Sequence, residues 1–174
     1  MKKQKGFSLI ELLIVVAIIL IIAAIAIPNL LRSKIAANEA SAVGSVRTIS
    51  TAEVTYSSSW GTGYSVDLVS LGGASPCTAA AATACLIDPL LSVAPNTKSG
   101  YIFNAAGTLL NNAVYNGFEV NATPAVVGTT GQRAFCDDQT GVVKFQSSGA
   151  AITVAAAACS GLVTAAGVSG PIGN

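Results

Sequence analysis

One carboxylate sits where a carboxylate is disfavoured. Glu11 follows Phe7, Leu9 and Ile10 and precedes an unbroken apolar run over residues 12–27. A charge at the centre of a membrane-crossing helix costs about 2.5–3.5 kcal/mol, less near its end, so such a residue points to a function and needs a partner. A cut between Gly6 and Phe7 creates an α-amino group four residues before Glu11. That ammonium is the obvious counter-charge, on the same chain or on a neighbouring copy. Burying a charge without a partner costs several kcal/mol, so a pairing of this kind acts as a registry device.

Other residue types could also do chemistry. Four cysteines fall at Cys77, Cys85, Cys136 and Cys159, past the apolar run. An even count in an exported chain reads as disulfides. Zinc is the rival, but the spacing contains no C-x-x-C. Asp137 and Asp138, with Glu119 and Asp67 elsewhere, could serve general acid–base work or calcium binding. Turns favour Asp for backbone reasons, and the turn reading is preferred. There is no histidine, which removes the commonest general base and metal ligand. Phosphate-binding glycine motifs are absent. The sequence therefore predicts no catalysis, no cofactor and no metal.

The elements that position these residues are uneven along the chain. The 174 residues are 52% hydrophobic and 10% charged, against about 25% charged in an ordinary soluble domain. Lys2, Lys3 and Lys5 precede the apolar run, and losing them lowers the formal net charge from +1 to −2. Nothing marks a nucleic-acid footprint. The start fits a secretory signal peptide, with Ala24-Ile25-Ala26 as its cleavage site. It also fits a plain anchor, because about 20 apolar residues span a bilayer. The third reading is a segment cut before the apolar run. Downstream, Leu31, Ile35, Ala42, Val46, Ile49, Glu53 and Tyr56 recur at helical spacing, and all but Glu53 could form one face. The pattern predicts one long helix, with a kink or local melting at Pro28 and a weaker soft point at Gly44. Two helices meeting at Pro28 is the alternative.

Lys5-Gly6-Phe7-Ser8-Leu9-Ile10-Glu11-Leu12 resembles the cleavage and methylation signature of type IV pilins, and Pro28 falls where a proline is common in that family. The resemblance covers the first thirty or so residues. It implies a peptidase cut after Gly6, methylation of the Phe7 amine, and neutralisation of an adjacent subunit's N-terminal amine by Glu11 during assembly.

Beyond Tyr56 the texture changes. Tyr101, Ile102 and Phe103, then Gly117 to Ala122 by alternation, then two stretches flanking Asp137-Asp138-Gln139-Thr140-Gly141 read as strands. Cys77 is paired with Cys85 and Cys136 with Cys159, because each pair encloses one irregular, Ala-rich segment. The second loop also resembles the C-terminal disulfide-bounded region of type IVa pilins. The expected fold is α+β: a long N-terminal helix, apolar then amphipathic, packed on an antiparallel head of about four strands. The expected organisation is a leader over 1–6, a hydrophobic span over 7–28, an amphipathic half over 29–57 and a head over 58–174.

The resemblance implies a structural subunit of a surface filament serving motility, adhesion or DNA uptake. Its partners would be identical subunits, a prepilin peptidase and assembly machinery with motor ATPases. It would reside in the inner membrane as precursor and at the cell surface when assembled. A type II secretion pseudopilin and a membrane-anchored exported binding protein are the alternatives. Electron transport is disfavoured, since only Phe7 and Tyr56 lie on the expected helix. Trp60, Tyr101, Phe103 and Phe118 read as head core.

Overall fold

The computed structural model describes residues 7–73, 76–152, 158–162 and 167–172. Its first element is a helix, α1, over Leu9–Trp60. The chain divides into two units, Met1–Lys34 and Ile35–Asn174.

In the first unit the helix is exposed on every side. Leu12, Val16, Ile19 and Ile25 are among many large apolar residues with more than two-fifths of their surface open. Nothing within the described chain covers them. The helix continues through Pro28, although the proline donates no hydrogen bond.

In the second unit α1 forms one wall of the core. Glu39, Ala42, Val46, Ile49, Glu53 and Tyr56 are all buried. They recur at alternating spacings of three and four, which places them on one stripe. Glu53 belongs to that stripe, against the expectation that it would interrupt it. Leu31 stays exposed, so the buried stripe begins later than the periodicity suggested. The helix also runs to Trp60, whose ring stacks on Tyr56 at 5.1 Å.

Two single-turn helices follow, α2 (Leu68–Leu71) and α3 (Pro89–Ser92). Each begins at an aspartate. Asp67 accepts the Ser70 N–H and Asp88 accepts the Leu90 N–H, satisfying donors that a helix start leaves open.

The sheet has six antiparallel strands in sequential order: β1 (Thr97–Lys98), β2 (Tyr101–Asn111), β3 (Val114–Pro124), β4 (Ala134–Asp138), β5 (Lys144–Gln146) and β6 (Ser169–Pro171). The antiparallel architecture agrees with the sequence reading, and the count is six rather than about four. The extra strands β1 and β6 are two and three residues long, too short to carry an alternation. The β2–β3 hairpin is longer than expected because Asn112 and Ala113 both have positive φ. That is a two-residue turn geometry usually announced by Asn-Gly. Asp137 and Asp138 end β4, and the turn proper is Gln139 to Gly141, with Gly141 at φ +71°.

The sheet is covered on both faces. Phe118, Val120, Ala122 and Phe135 join Val46 and Ile49 in the main core. Ala134, Cys136, Ile152 and Cys159 form a second cluster. Glu119 accepts the Cys159 N–H at 3.1 Å, Asn121 donates to the Ile152 carbonyl, and Lys144 donates to the Cys159 and Ser160 carbonyls at 2.9 and 3.2 Å. The alternation of β3 is therefore apolar toward the helix and polar toward a second layer, not toward solvent. Cys77 is joined to Cys85 and Cys136 to Cys159, with Cα separations of 6.0 and 5.8 Å. The second bond ties β4 to the layer that covers it. Residues 155–157 of the Ala-rich stretch before Cys159 lie outside the described residues.

Candidate processing and assembly site

Gly6 and the lysines before it lie outside the described residues. Phe7 precedes the helix and is 81% exposed. Ser8 stands at the N-cap position. Its N–H donates to Oε2 of Glu11 at 2.9 Å, and its carbonyl accepts the Leu12 N–H at 3.2 Å. This is half of a capping box, in which an acidic third residue reaches back to the cap. A carboxylate in the first turn also faces the positive end of the helix dipole. Glu11 thus has a local partner that the sequence reading overlooked. The signal was present as Ser8-Leu9-Ile10-Glu11, the S-x-x-E pattern preceding an apolar run.

The carboxylate is exposed and lies four residues from Phe7. A cut before Phe7 would place an ammonium beside a carboxylate already oriented by the helix start. Behind it, residues 12–27 present apolar surface all round, and the described chain has one helix long and apolar enough to cross a membrane. An exposed patch of this size marks a membrane or protein contact.

The acidic residues of the head are placed differently. Asp137 accepts the Ser50 hydroxyl at 2.6 Å and the Asp138 N–H at 3.0 Å. Burial raises its carboxyl above the ordinary range. Asp138 accepts the N–H and hydroxyl of Thr140 at 2.8 and 2.5 Å. Glu39 accepts N–H groups from Gln132 and Arg133, and its Oε2 takes the Arg133 guanidinium through Nε and Nη2 at 2.9 and 2.7 Å. Among the described residues no three acidic, cysteine or histidine side chains converge on a metal position. These carboxylates fasten α1, the turns and the sheet to one another.

Glu53 is the most enclosed of them, with no exposed surface. It meets the Ser65 N–H at 2.9 Å and the Ser65 hydroxyl at 2.7 Å, and that hydroxyl also lies 3.1 Å from the Asp67 carbonyl. A hydroxyl carries one proton, so Ser65 shares it between Glu53 and the Asp67 carbonyl. Burial, against the Ser65 hydrogen bonds, pushes Glu53 up to about 7. A raised acid stabilises the fold below its unfolded value and loses that contribution as pH rises through the folded value. The head is therefore expected to lose stability between about pH 4.5 and 7, the unfolded and folded values, by on the order of 3 kcal/mol. Glu53→Gln should flatten that slope in urea titrations at several pH values. A slope unchanged in the variant would move its origin elsewhere, Asp137 being the next group of the same sign.

The family described as the prokaryotic N-terminal methylation motif matches residues 1–27. Residues 1–27 carry that motif. The methylation motif contains Gly6, Phe7, Ser8 and Glu11, so the capped helix start described above lies inside it. Over 39 residues the chain is 62% identical to the type IV wide pilus major component PilA4 of Thermus thermophilus, a stretch covering 22% of this chain and 30% of that relative. The chain thus spans under a third of the length of the curated relative it matches. Its N-terminal part is type IV pilin-like, and the likeness extends past the methylation motif. No solved structure matches.

Proposed function

We propose that the chain is the precursor of a type IV pilin. It inserts in the bacterial inner membrane through residues 7–28, is cut after Gly6 by a prepilin peptidase, is methylated on the Phe7 amine, and polymerises with identical subunits into an extracellular filament. The observation that carries this reading is an exposed helix start inside a methylation motif, apolar all round from residue 12 to residue 27. Such a surface needs one cover before assembly, which lipid supplies, and another afterwards, which neighbouring helices supply. In this reading the head is structural rather than catalytic, and ATP-driven assembly belongs to partner proteins. The likeness to a relative named as a pilus major component supports the filament.

The role of Pro28 is a local softening of the helix that lets neighbouring copies settle during packing. Glu11 exchanges its capping contact for an ammonium of its own or an adjacent subunit. Electron microscopy of filaments sheared from the cell surface, with peptide mapping of their subunit, tests the proposal. Head peptides from this chain should dominate the filaments. Filaments free of them, from cells that express the chain, would remove the reading.

A further inference from the structure

Two cations close the apolar segment. Arg32 and Lys34 are exposed, and neither has a carboxylate partner among the described residues; the ion pairs there are Lys98 with Asp88 and Arg133 with Glu39. They sit in the same helical turn, about 200° apart around an axis of 3.6 residues per turn. Between Glu11 and Arg32 lie 21 residue steps, or about 32 Å along a helix. The hydrocarbon core of a bilayer is about 30 Å thick. Glu11 and Arg32 therefore bracket one bilayer thickness, and neither charge needs to enter it.

We infer that Arg32 and Lys34 form a collar that binds the phosphates of anionic phospholipid headgroups and fixes the depth at which the helix sits. The inference rests on the membrane-spanning reading and places the hydrocarbon-crossing part of it at residues 12–31, with Phe7 to Glu11 in the facing headgroup layer. The two-sided placement favours lipid over protein. Headgroups surround a spanning helix, so both cations reach phosphate at once, whereas a single protein surface would approach from one side. Long cationic side chains at helix ends extend toward the interface in this way. With the collar at one headgroup layer, Glu11 lies at the other, beside the water-facing N-terminus. The carboxylate is then in place for exchange without first leaving the membrane interior.

The test uses the full-length chain reconstituted from detergent. Flotation with vesicles of phosphatidylcholine, with and without phosphatidylglycerol, reports insertion. Native mass spectrometry of the solubilised chain reports which lipid it retains. The wild type should float with both vesicles and favour phosphatidylglycerol roughly tenfold or more, as two cations near an anionic surface imply. In a chain whose leader lysines Lys2, Lys3 and Lys5 have already been replaced by glutamine, Arg32→Gln with Lys34→Gln should still float but lose the preference, while Arg47→Gln should keep it. A preference retained by the double variant, or lost equally in Arg47→Gln, overturns the collar and leaves the span standing. Retained preference with lost filaments would assign the two cations to an acidic protein surface instead. A wild-type chain that never floats overturns the span itself.

Discussion

Cells expressing Glu11→Ala are expected to insert the chain and to make no filaments. The substitution replaces a charge with an apolar residue at the end of the proposed membrane segment, which should leave insertion unchanged or improve it. It removes the acceptor of the Ser8 N–H, at about 1 kcal/mol for a helix cap, too little to unfold a helix held in lipid. What it abolishes is the counter-charge for the amine that the proposed cut before Phe7 would create. Glu11→Gln separates the two roles, because the amide oxygen can still accept the Ser8 N–H but carries no charge. Both variants should lack filaments if pairing is the purpose. Filaments restored by Gln alone would make capping the essential role, and normal filaments from Ala would contradict both.

The second large effect concerns the cover over the outer face of the sheet. Replacing Cys136 and Cys159 by serine is expected to destabilise the head by about 3 kcal/mol or more, the chain-entropy value for a loop of this size. The Cys77–Cys85 loop, with a sequence separation of 8 against 23, should cost somewhat less. The difference should exceed the entropy of loop length alone. Freed of its tether, the layer over β3 and β4 would no longer offer its backbone groups to the buried Glu119 and Asn121, and losing hydrogen bonds to buried polar groups is destabilising. Urea unfolding of both double-serine variants checks this. Equal losses would mean that the cover holds without its bond.

The legible and illegible parts of the fold divide on physical grounds. Helical periodicity from Ala42 to Tyr56 was readable because every third or fourth residue meets the same sheet. Glu39 and Glu53 were not readable as members of that stripe. Burial of a carboxylate is decided by loop N–H groups from distant residues, those of Gln132, Arg133 and Ser65, which no local pattern reports. The alternation in β3 was readable, but what Glu119 and Asn121 face was not, because the second layer comes from residues far along the chain. Strands β1 and β6 exist only through their pairing with β2 and β5. At the N-terminus the Gly6-Phe7 junction and Glu11 were conspicuous. The contact between Ser8 and Glu11 follows an S-x-x-E capping pattern whose acid also reads as an isolated charge beside an apolar run.

The N-terminus of the mature chain decides the central claim. Intact-mass and N-terminal fragment measurements on subunits from surface filaments should show a chain that begins at Phe7 with a methylated amine. An intact Met1 would contradict processing, and a start after Ala26 would mean that the apolar segment is a discarded signal peptide and not the core of a filament.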